Sequence, residues 1–141
     1  MSERLRARGI DLGYHNHDWE LRPVERARTA LELIFEAAGD SPLTWQADVA
    51  WLVRGGVEPK AWLHRYRSRL SSAHVKDIAP AGQNADEDGW ADVGSGVLDW
   101  RDLWRACRDA GARWMVVEHD KPKDPARTAR ASLAFLSGLA A

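Results

Sequence analysis

The sequence has little cysteine, no excess of either charge and no long apolar run. The single cysteine, Cys107, cannot form an internal disulfide, and it lies in a helical pattern without the base or positive pocket of a reactive thiolate. With 20 Lys and Arg residues against 21 Asp and Glu, the net charge of -1 does not favour nucleic acid as a partner. No window approaches the roughly 20 apolar residues of a membrane span, and the N-terminus lacks a signal-peptide pattern. These absences predict a soluble cytoplasmic protein with a packed cysteine.

The 141 residues, 45% of them hydrophobic, are enough for one core, and no linker divides residues 1–141. Strand-like and helix-like patterns alternate along this single domain. The predicted strands are 10–15, 43–48, 71–75 and 114–118, and the predicted helices are 27–38, 55–70, 99–111 and a terminal helix from 124 with Ala129, Leu133, Leu136 and Ala140 on one face. Four consecutive βα units indicate an α/β fold, either a (β/α)₈ barrel or part of one, or a small open parallel sheet. A complete barrel takes about 250 residues, so the chain supplies roughly half.

One long loop interrupts this pattern. Residues 79–98 are rich in Gly, Asp and Asn, and long loops without secondary structure in compact domains are usually functional or disordered. We therefore predict a lid. Within it, Gly94-Ser95-Gly96 is too short for a phosphate-binding loop and is expected to form the turn before the next helix.

Side chains that can bind metals follow each predicted strand. Alternate residues of an extended strand share a face. The pairs that share a face are His15 with His17, His74 with Lys76, and Glu118 with Asp120, while Asp48 ends the second strand. Since parallel strands end at one rim of the sheet, these side chains are expected to converge. Imidazole and carboxylate ligands suit Mn²⁺, Mg²⁺, Co²⁺ or Zn²⁺.

Five segments together resemble a known family. They are YHNHDWEL at 14–21, Asp48 followed by GGVEP at 55–59, HVKD at 74–77, VGSGVLDW at 93–100 and VEHDKP at 117–122. Their order and spacing resemble the xylose isomerase-like barrel superfamily of sugar (phosphate) isomerases and epimerases, which includes ketose 3-epimerases, inosose dehydratase and, more distantly, endonuclease IV. The resemblance implies four βα units equivalent to strands 5–8 of a (β/α)₈ TIM barrel, that is, its C-terminal half.

The resemblance also implies the ligands of one divalent metal. Asp48, His74 and Glu118 match the family's ligands on strands six, seven and eight. The fifth-strand ligand is usually Glu, and His15 stands at that place here, with His17 and Glu20 as alternatives.

The activity that the resemblance implies is isomerisation or epimerisation of a small carbohydrate or polyol. Such enzymes abstract a proton next to a carbonyl, and the metal stabilises the resulting enediolate. With His15 in place of one glutamate, Glu118 is the candidate acid/base, and His17 or Lys76 is the candidate second proton-transfer group.

Substrate contacts are predicted from the residues around these positions. The candidates are Trp19, Glu20, Trp51 and Trp90. Trp51 stands where the epimerases have a substrate-contacting His, and aromatic rings stack on the C–H faces of sugars, although packing is the usual role of tryptophan. The family's basic residue beyond the seventh-strand His has no counterpart among residues 78–81, so a phosphorylated substrate is not indicated.

Two alternatives remain open. One is a keto-sugar or inosose dehydratase or lyase of the same superfamily. The other is a non-catalytic half barrel, because an open four-stranded parallel sheet leaves two unpaired edges and an exposed inner face. Either way, we expect a homo-oligomer or a partner that supplies the missing half barrel. An endonuclease is the least favoured, since 5 His are too few for a multi-zinc cluster.

Overall fold

In the computed structural model, which describes residues 1–139, four parallel strands form the central sheet. The strands of the chain are β1 (Gly13–His15), β2 (Pro23–Glu25), β3 (Arg28–Thr29), β4 (Thr44–Asp48), β5 (Leu70–Val75), β6 (Asp77–Ile78), β7 (Trp90–Ala91) and β8 (Trp114–Val117). The helices are α1 (Ser2–Arg6), α2 (Ala30–Ala38), α3 (Val49–Arg54), α4 (Pro59–Arg65), α5 (Trp100–Asp109) and α6 (Pro125–Ser137). Ala140, predicted on the face of the terminal helix, lies outside the described residues.

The central sheet has the order β1-β4-β5-β8, and each neighbouring pair is parallel. Because helices connect these strands, all their carboxyl ends lie at one rim. Asp48 pairs with His74, which in turn pairs with Val116. The α/β prediction, with four βα units equivalent to half of a TIM barrel, is confirmed.

The outer face of the sheet packs against the helices and forms the core. Trp45, Ala47, Ala73 and Val75 of β4 and β5 are fully buried, as is Leu52 of α3. Cys107 of α5 lies in the same core, and burial raises the pKa of its thiol to about 12. The predicted packing role of this cysteine is therefore confirmed. None of the helices in residues 1–139 has the length and apolar character needed to cross a bilayer.

Local capping fixes where several helices begin. The Thr29 side chain accepts a hydrogen bond from the Glu32 backbone N–H, and the Glu32 carboxylate accepts one from the Thr29 N–H, which together form a capping box. Asp124 accepts a hydrogen bond from the Arg127 backbone N–H, and Pro125 follows at the first helical position.

Several predicted boundaries were wrong. The first strand covers only Gly13–His15, and the helix predicted from residue 27 begins at Ala30 because β2 and β3 form a hairpin before it. The hairpin turn holds Arg26 and Ala27 at positive φ, where glycine or asparagine is the usual signal. Helix α3 starts directly after β4, and the next helix ends at Arg65 rather than near residue 70.

The loop at 79–98, which was expected to lack secondary structure, is partly folded, and its role as a lid stays a prediction. Strands β6 and β7 pair antiparallel, and the Trp90 side chain is buried. The C-terminal end of the loop is held by the Asp77 carboxylate, which accepts hydrogen bonds from the backbone N–H groups of Gly94, Gly96 and Leu98. The segment 94–96 is thus the turn before α5, as predicted.

Candidate metal centre

The four predicted ligands meet at the carboxyl rim of the sheet. One ligand atom from each of His15, Asp48, His74 and Glu118 lies within 4.8 Å of all the others. His74 Nδ1 is 2.7 Å from Glu118 Oε2 and 3.8 Å from Asp48 Oδ2, and His15 Nε2 is 4.0 Å from the same Asp48 oxygen. Each comes from a different parallel strand or the residue directly after it, so the sheet itself brings them together.

This donor set fits a divalent cation. Bonds of about 2.1 Å to a common ion require ligand atoms within about 4 Å of one another, close to the separation found here. His15 Nδ1 is buried and has no hydrogen-bond partner among residues 1–139. Two imidazoles and two carboxylates suit borderline or hard ions.

The protonation states of His15 and Glu118 also suit metal binding. Burial, together with nearby His74, lowers the pKa of His15, which leaves its imidazole neutral with a free lone pair. The contact with His74 and, to a smaller extent, the contact with Lys76 lower the pKa of Glu118 to about 2, so this carboxylate is ionised at neutral pH. Burial raises the pKa of Asp48, although Lys76 acts in the opposite direction.

His17 lies beside this group on an aromatic surface. Its ring centroid is 4.9 Å from that of His15 and 4.2 Å from that of Trp19, with an interplanar angle of 14° in the stacked pair. Trp51 lies 5.4 Å from His17, and Trp19 is 53% exposed. His17, Trp19 and Trp51 therefore form a surface next to the candidate metal ligands.

Two other predicted site residues, Glu20 and Trp90, contact residues next to the ligand group. The Glu20 carboxylate accepts hydrogen bonds from the Tyr14 hydroxyl and the His17 backbone N–H, so it fixes the segment after β1 and is not in the ligand group. Trp90 is 1% exposed, with its ring 4.8 Å from that of Trp51 and the Arg54 guanidinium 3.2 Å above it. Trp90 is therefore a buried residue that packs against the Trp51 ring.

Sequence reasoning gave no role to Asn16, which lies between the two histidines. This buried side chain donates to the Asp48 carbonyl and accepts hydrogen bonds from the Asp48 backbone N–H and from Trp45 Nε1. It thereby holds the ends of β1 and β4 together and sets the positions of His15 and Asp48. The sequence signal that could have indicated this role is the position of Asn16 between His15 and His17, since an amide side chain can both donate and accept hydrogen bonds.

The whole described chain matches one family. The model of the xylose isomerase-like TIM barrel family covers residues 1–139. The chain belongs to this family. The resemblance inferred from the five segments is therefore confirmed.

The proteins that this chain resembles carry different activities in their names. The chain is 25% identical over 142 residues to an inosose dehydratase from Lacticaseibacillus casei, a match that covers 90% of this chain and 45% of the relative. It superposes with a TM-score of 0.75 and 23% identity on a sugar phosphate isomerase/epimerase from Parabacteroides distasonis, over 96% of this chain and 47% of that one. It also superposes on a probable 3-DHS dehydratase, AsbF from Bacillus anthracis, with a TM-score of 0.71 and 15% identity. That match covers 96% of this chain and 52% of the other. The chain thus spans about half the length of each of these similar proteins.

Proposed function

We propose that this protein acts in a divalent-metal-dependent sugar isomerase or epimerase, which abstracts a proton next to the carbonyl of a carbohydrate or polyol. The observation that carries the proposal is the group of His15, Asp48, His74 and Glu118 with His17 beside it. A divalent ion bound there would polarise the carbonyl and stabilise negative charge on its oxygen.

His17 is the best-placed proton acceptor among the candidates. Glu118, with its pKa lowered to about 2, is a weak base, and its contacts with His74 and Lys76 suit a ligand. Lys76 is enclosed by carboxylates. The His17 ring instead lies on the exposed Trp19, where a sugar could place its C–H face against the indole.

Dehydration is the second candidate, and two observations favour it. An inosose dehydratase is among the similar proteins, and His15 stands where the two-glutamate epimerases have their second carboxylate. Elimination needs one base for the carbon-bound proton and one acid to protonate the departing hydroxyl, which leaves as water. One imidazole can serve as both in turn: His17 takes the carbon-bound proton and then gives it to the departing hydroxyl, so this reaction needs no second glutamate.

Solvent deuterium distinguishes the two reactions. We expect the Mn²⁺-loaded protein, incubated in D₂O with an inosose and with a panel of ketohexoses, to exchange the proton next to the carbonyl, detected by NMR. An isomer carrying deuterium identifies an isomerase or epimerase, and loss of water identifies a dehydratase.

The same assay tests His17. His17→Ala is expected to reduce the exchange rate by about 10²- to 10⁴-fold, the usual contribution of a general base. His64→Ala, which changes a histidine of α4 that contacts Arg67, is the control and should exchange at the normal rate. Normal exchange by the His17 variant contradicts the assignment of His17 as the proton acceptor. For Glu118, the candidate acid/base of the sequence analysis, a Glu118→Gln variant that retains metal and full activity excludes a part in proton transfer.

We also propose that a second (β/α)₄ unit packs on the open side of the sheet, supplied by a second copy of the chain or by another polypeptide. Trp114 of the edge strand β8 is 70% exposed, and Leu133 of α6 is 66% exposed. Between β8 and α6 lies a groove of about 330 Å³, whose lining includes Val117, Leu133 and Leu136. Apolar side chains on an unpaired edge strand indicate a surface that is covered by another chain.

Light scattering tests this surface. We expect the chain to form dimers or larger species, and Trp114→Lys to shift them toward monomer. Loss of an interface tryptophan commonly costs about 2 kcal/mol or more of binding free energy, which is about 30-fold in affinity. Val97→Lys introduces the same charge at a position that is 59% exposed and lies in the loop outside β8, so it should leave the assembly unchanged. A stable monomer at micromolar concentration contradicts assembly with a second copy of the chain.

A further inference from the structure

The ammonium group of Lys76 lies inside the rim, against two of the metal ligands. Its side chain is only 1% exposed, and Nζ is 3.0 Å from Asp48 Oδ2 and 2.9 Å from Glu118 Oε2. Lysine is almost never buried unless it is paired, since removing the charge from water costs several kcal/mol. Here the partners that offset this cost are themselves predicted ligands.

Other groups hold the ammonium in this place. Asp120 Oδ1 accepts a hydrogen bond from Nζ at 2.8 Å, and the ring centroids of Trp51 and Trp90 lie 5.4 and 4.9 Å from the same nitrogen. The Lys76 backbone is also tethered, because its carbonyl accepts a hydrogen bond from Trp100 Nε1. The carboxylates and the aromatic rings together fix where the charge can lie.

The contacts of Asp48 and Glu118 define which carboxylate oxygen of each residue faces Lys76. Asp48 Oδ1 accepts a hydrogen bond from the Trp51 backbone N–H, so Oδ2 is the oxygen that faces Lys76 and His74. Glu118 Oε2 contacts the same two side chains, His74 and Lys76. One ammonium therefore links two ligands that come from strands β4 and β8.

We infer that Lys76 is a positioning residue of the metal centre, which orients the Asp48 and Glu118 carboxylates and is itself held by Asp120. This inference rests on the proposed metal centre and replaces the role of proton-transfer group for Lys76. Two effects must be separated to test it. Removing the ammonium alone also removes a positive charge, which by Coulomb's law favours a cation and masks the loss of orientation.

A charge-balanced double variant separates them. Lys76→Met with Asp120→Asn removes one positive and one negative charge and so keeps the net charge of the rim. The matched control is Lys121→Met with Asp88→Asn, which removes an exposed pair of the same kind with Nζ 3.0 Å from the carboxylate. Mn²⁺ alone is the probe, its affinity is measured by calorimetry, and the EPR spectrum of the bound ion reports on ligand geometry.

We expect the Lys76/Asp120 variant to bind Mn²⁺ about 10- to 100-fold more weakly, with an altered EPR spectrum, as is usual when an outer partner of metal ligands is lost. The control pair should match the original protein in both measurements. Affinity within twofold of the original and an unchanged spectrum overturn the inference. If the original protein binds no Mn²⁺, the metal centre itself is wrong, which is a separate result.

A second variant covers the case in which the double variant does not fold. Circular dichroism in EDTA establishes folding without metal. Asp120→Ala alone keeps the ammonium but removes the oxygen that accepts its hydrogen bond, so the Mn²⁺ spectrum is expected to change while the four ligands stay in place. An unchanged spectrum in this variant also overturns the inference.

Discussion

Replacing His74 with alanine is expected to weaken divalent-metal binding by at least about 100-fold, since changes to outer partners alone already cost 10- to 100-fold. His74 lies at the centre of the ligand group, 2.7 Å from Glu118 and 3.8 Å from Asp48. Its loss removes one donor and also the contact that helps to lower the pKa of Glu118. Titration with Mn²⁺ or Co²⁺ by calorimetry measures the affinity, and the absorption spectrum of Co²⁺ reports the ligand set.

The control for this substitution is His64→Ala. His64 lies on α4 and contacts Arg67, outside the ligand group. It should leave both the affinity and the Co²⁺ spectrum unchanged. Equal binding by the His74 and His64 variants would rule out the assigned site, and equal loss in both would indicate nonspecific binding by surface histidines.

Replacing Asp77 with alanine is expected to lower the free energy of unfolding by about 4 kcal/mol and to release the loop at 79–98. The buried carboxylate accepts hydrogen bonds from four backbone N–H groups, those of Ile78, Gly94, Gly96 and Leu98. A hydrogen bond to a charged group contributes about 1.5–3 kcal/mol, and buried donors left without a partner add to the cost. Denaturant unfolding measures the loss, and hydrogen exchange locates it.

Asp99→Ala is the matched comparison for Asp77. The Asp99 carboxylate caps α5 by accepting hydrogen bonds from Arg101 and Asp102, so its removal should cost only about 1 kcal/mol. Similar losses for both variants would show that Asp77 is an ordinary cap. Fast exchange confined to residues 79–98 in the Asp77 variant supports its role as the anchor of this loop.

The sequence was sufficient for the parts of the protein that depend on local patterns. The strand patterns placed metal-binding side chains at four strand ends, and parallel connections required those ends to share a rim. The family resemblance then pointed to His15, Asp48, His74 and Glu118 among them. The structure brings these four into one group. The prediction succeeded because chain direction alone decides at which rim a parallel strand ends.

Local patterns failed where the backbone departed from its usual signals. The β2–β3 hairpin uses Arg26 and Ala27 at positive φ, and its turn contains no glycine to mark it. The loop after β5 seemed structureless because its order depends on Asp77, which reaches backbone groups 17 to 21 positions away. Neither feature can be recognised from a short window of sequence.

The sequence by itself determined the fold class, the kinds of candidate ligand and the strand ends that carry them. Only the tertiary structure decided what surrounds the neighbouring residues. Lys76, an apparent proton-transfer group, lies buried against carboxylates, one of them 44 positions away, and Trp90 is buried against Trp51 and the Lys76 ammonium instead of being open to a substrate. The reason is physical: a side chain's charge and size are written in the chain, but its burial and its partners depend on which distant segments pack around it.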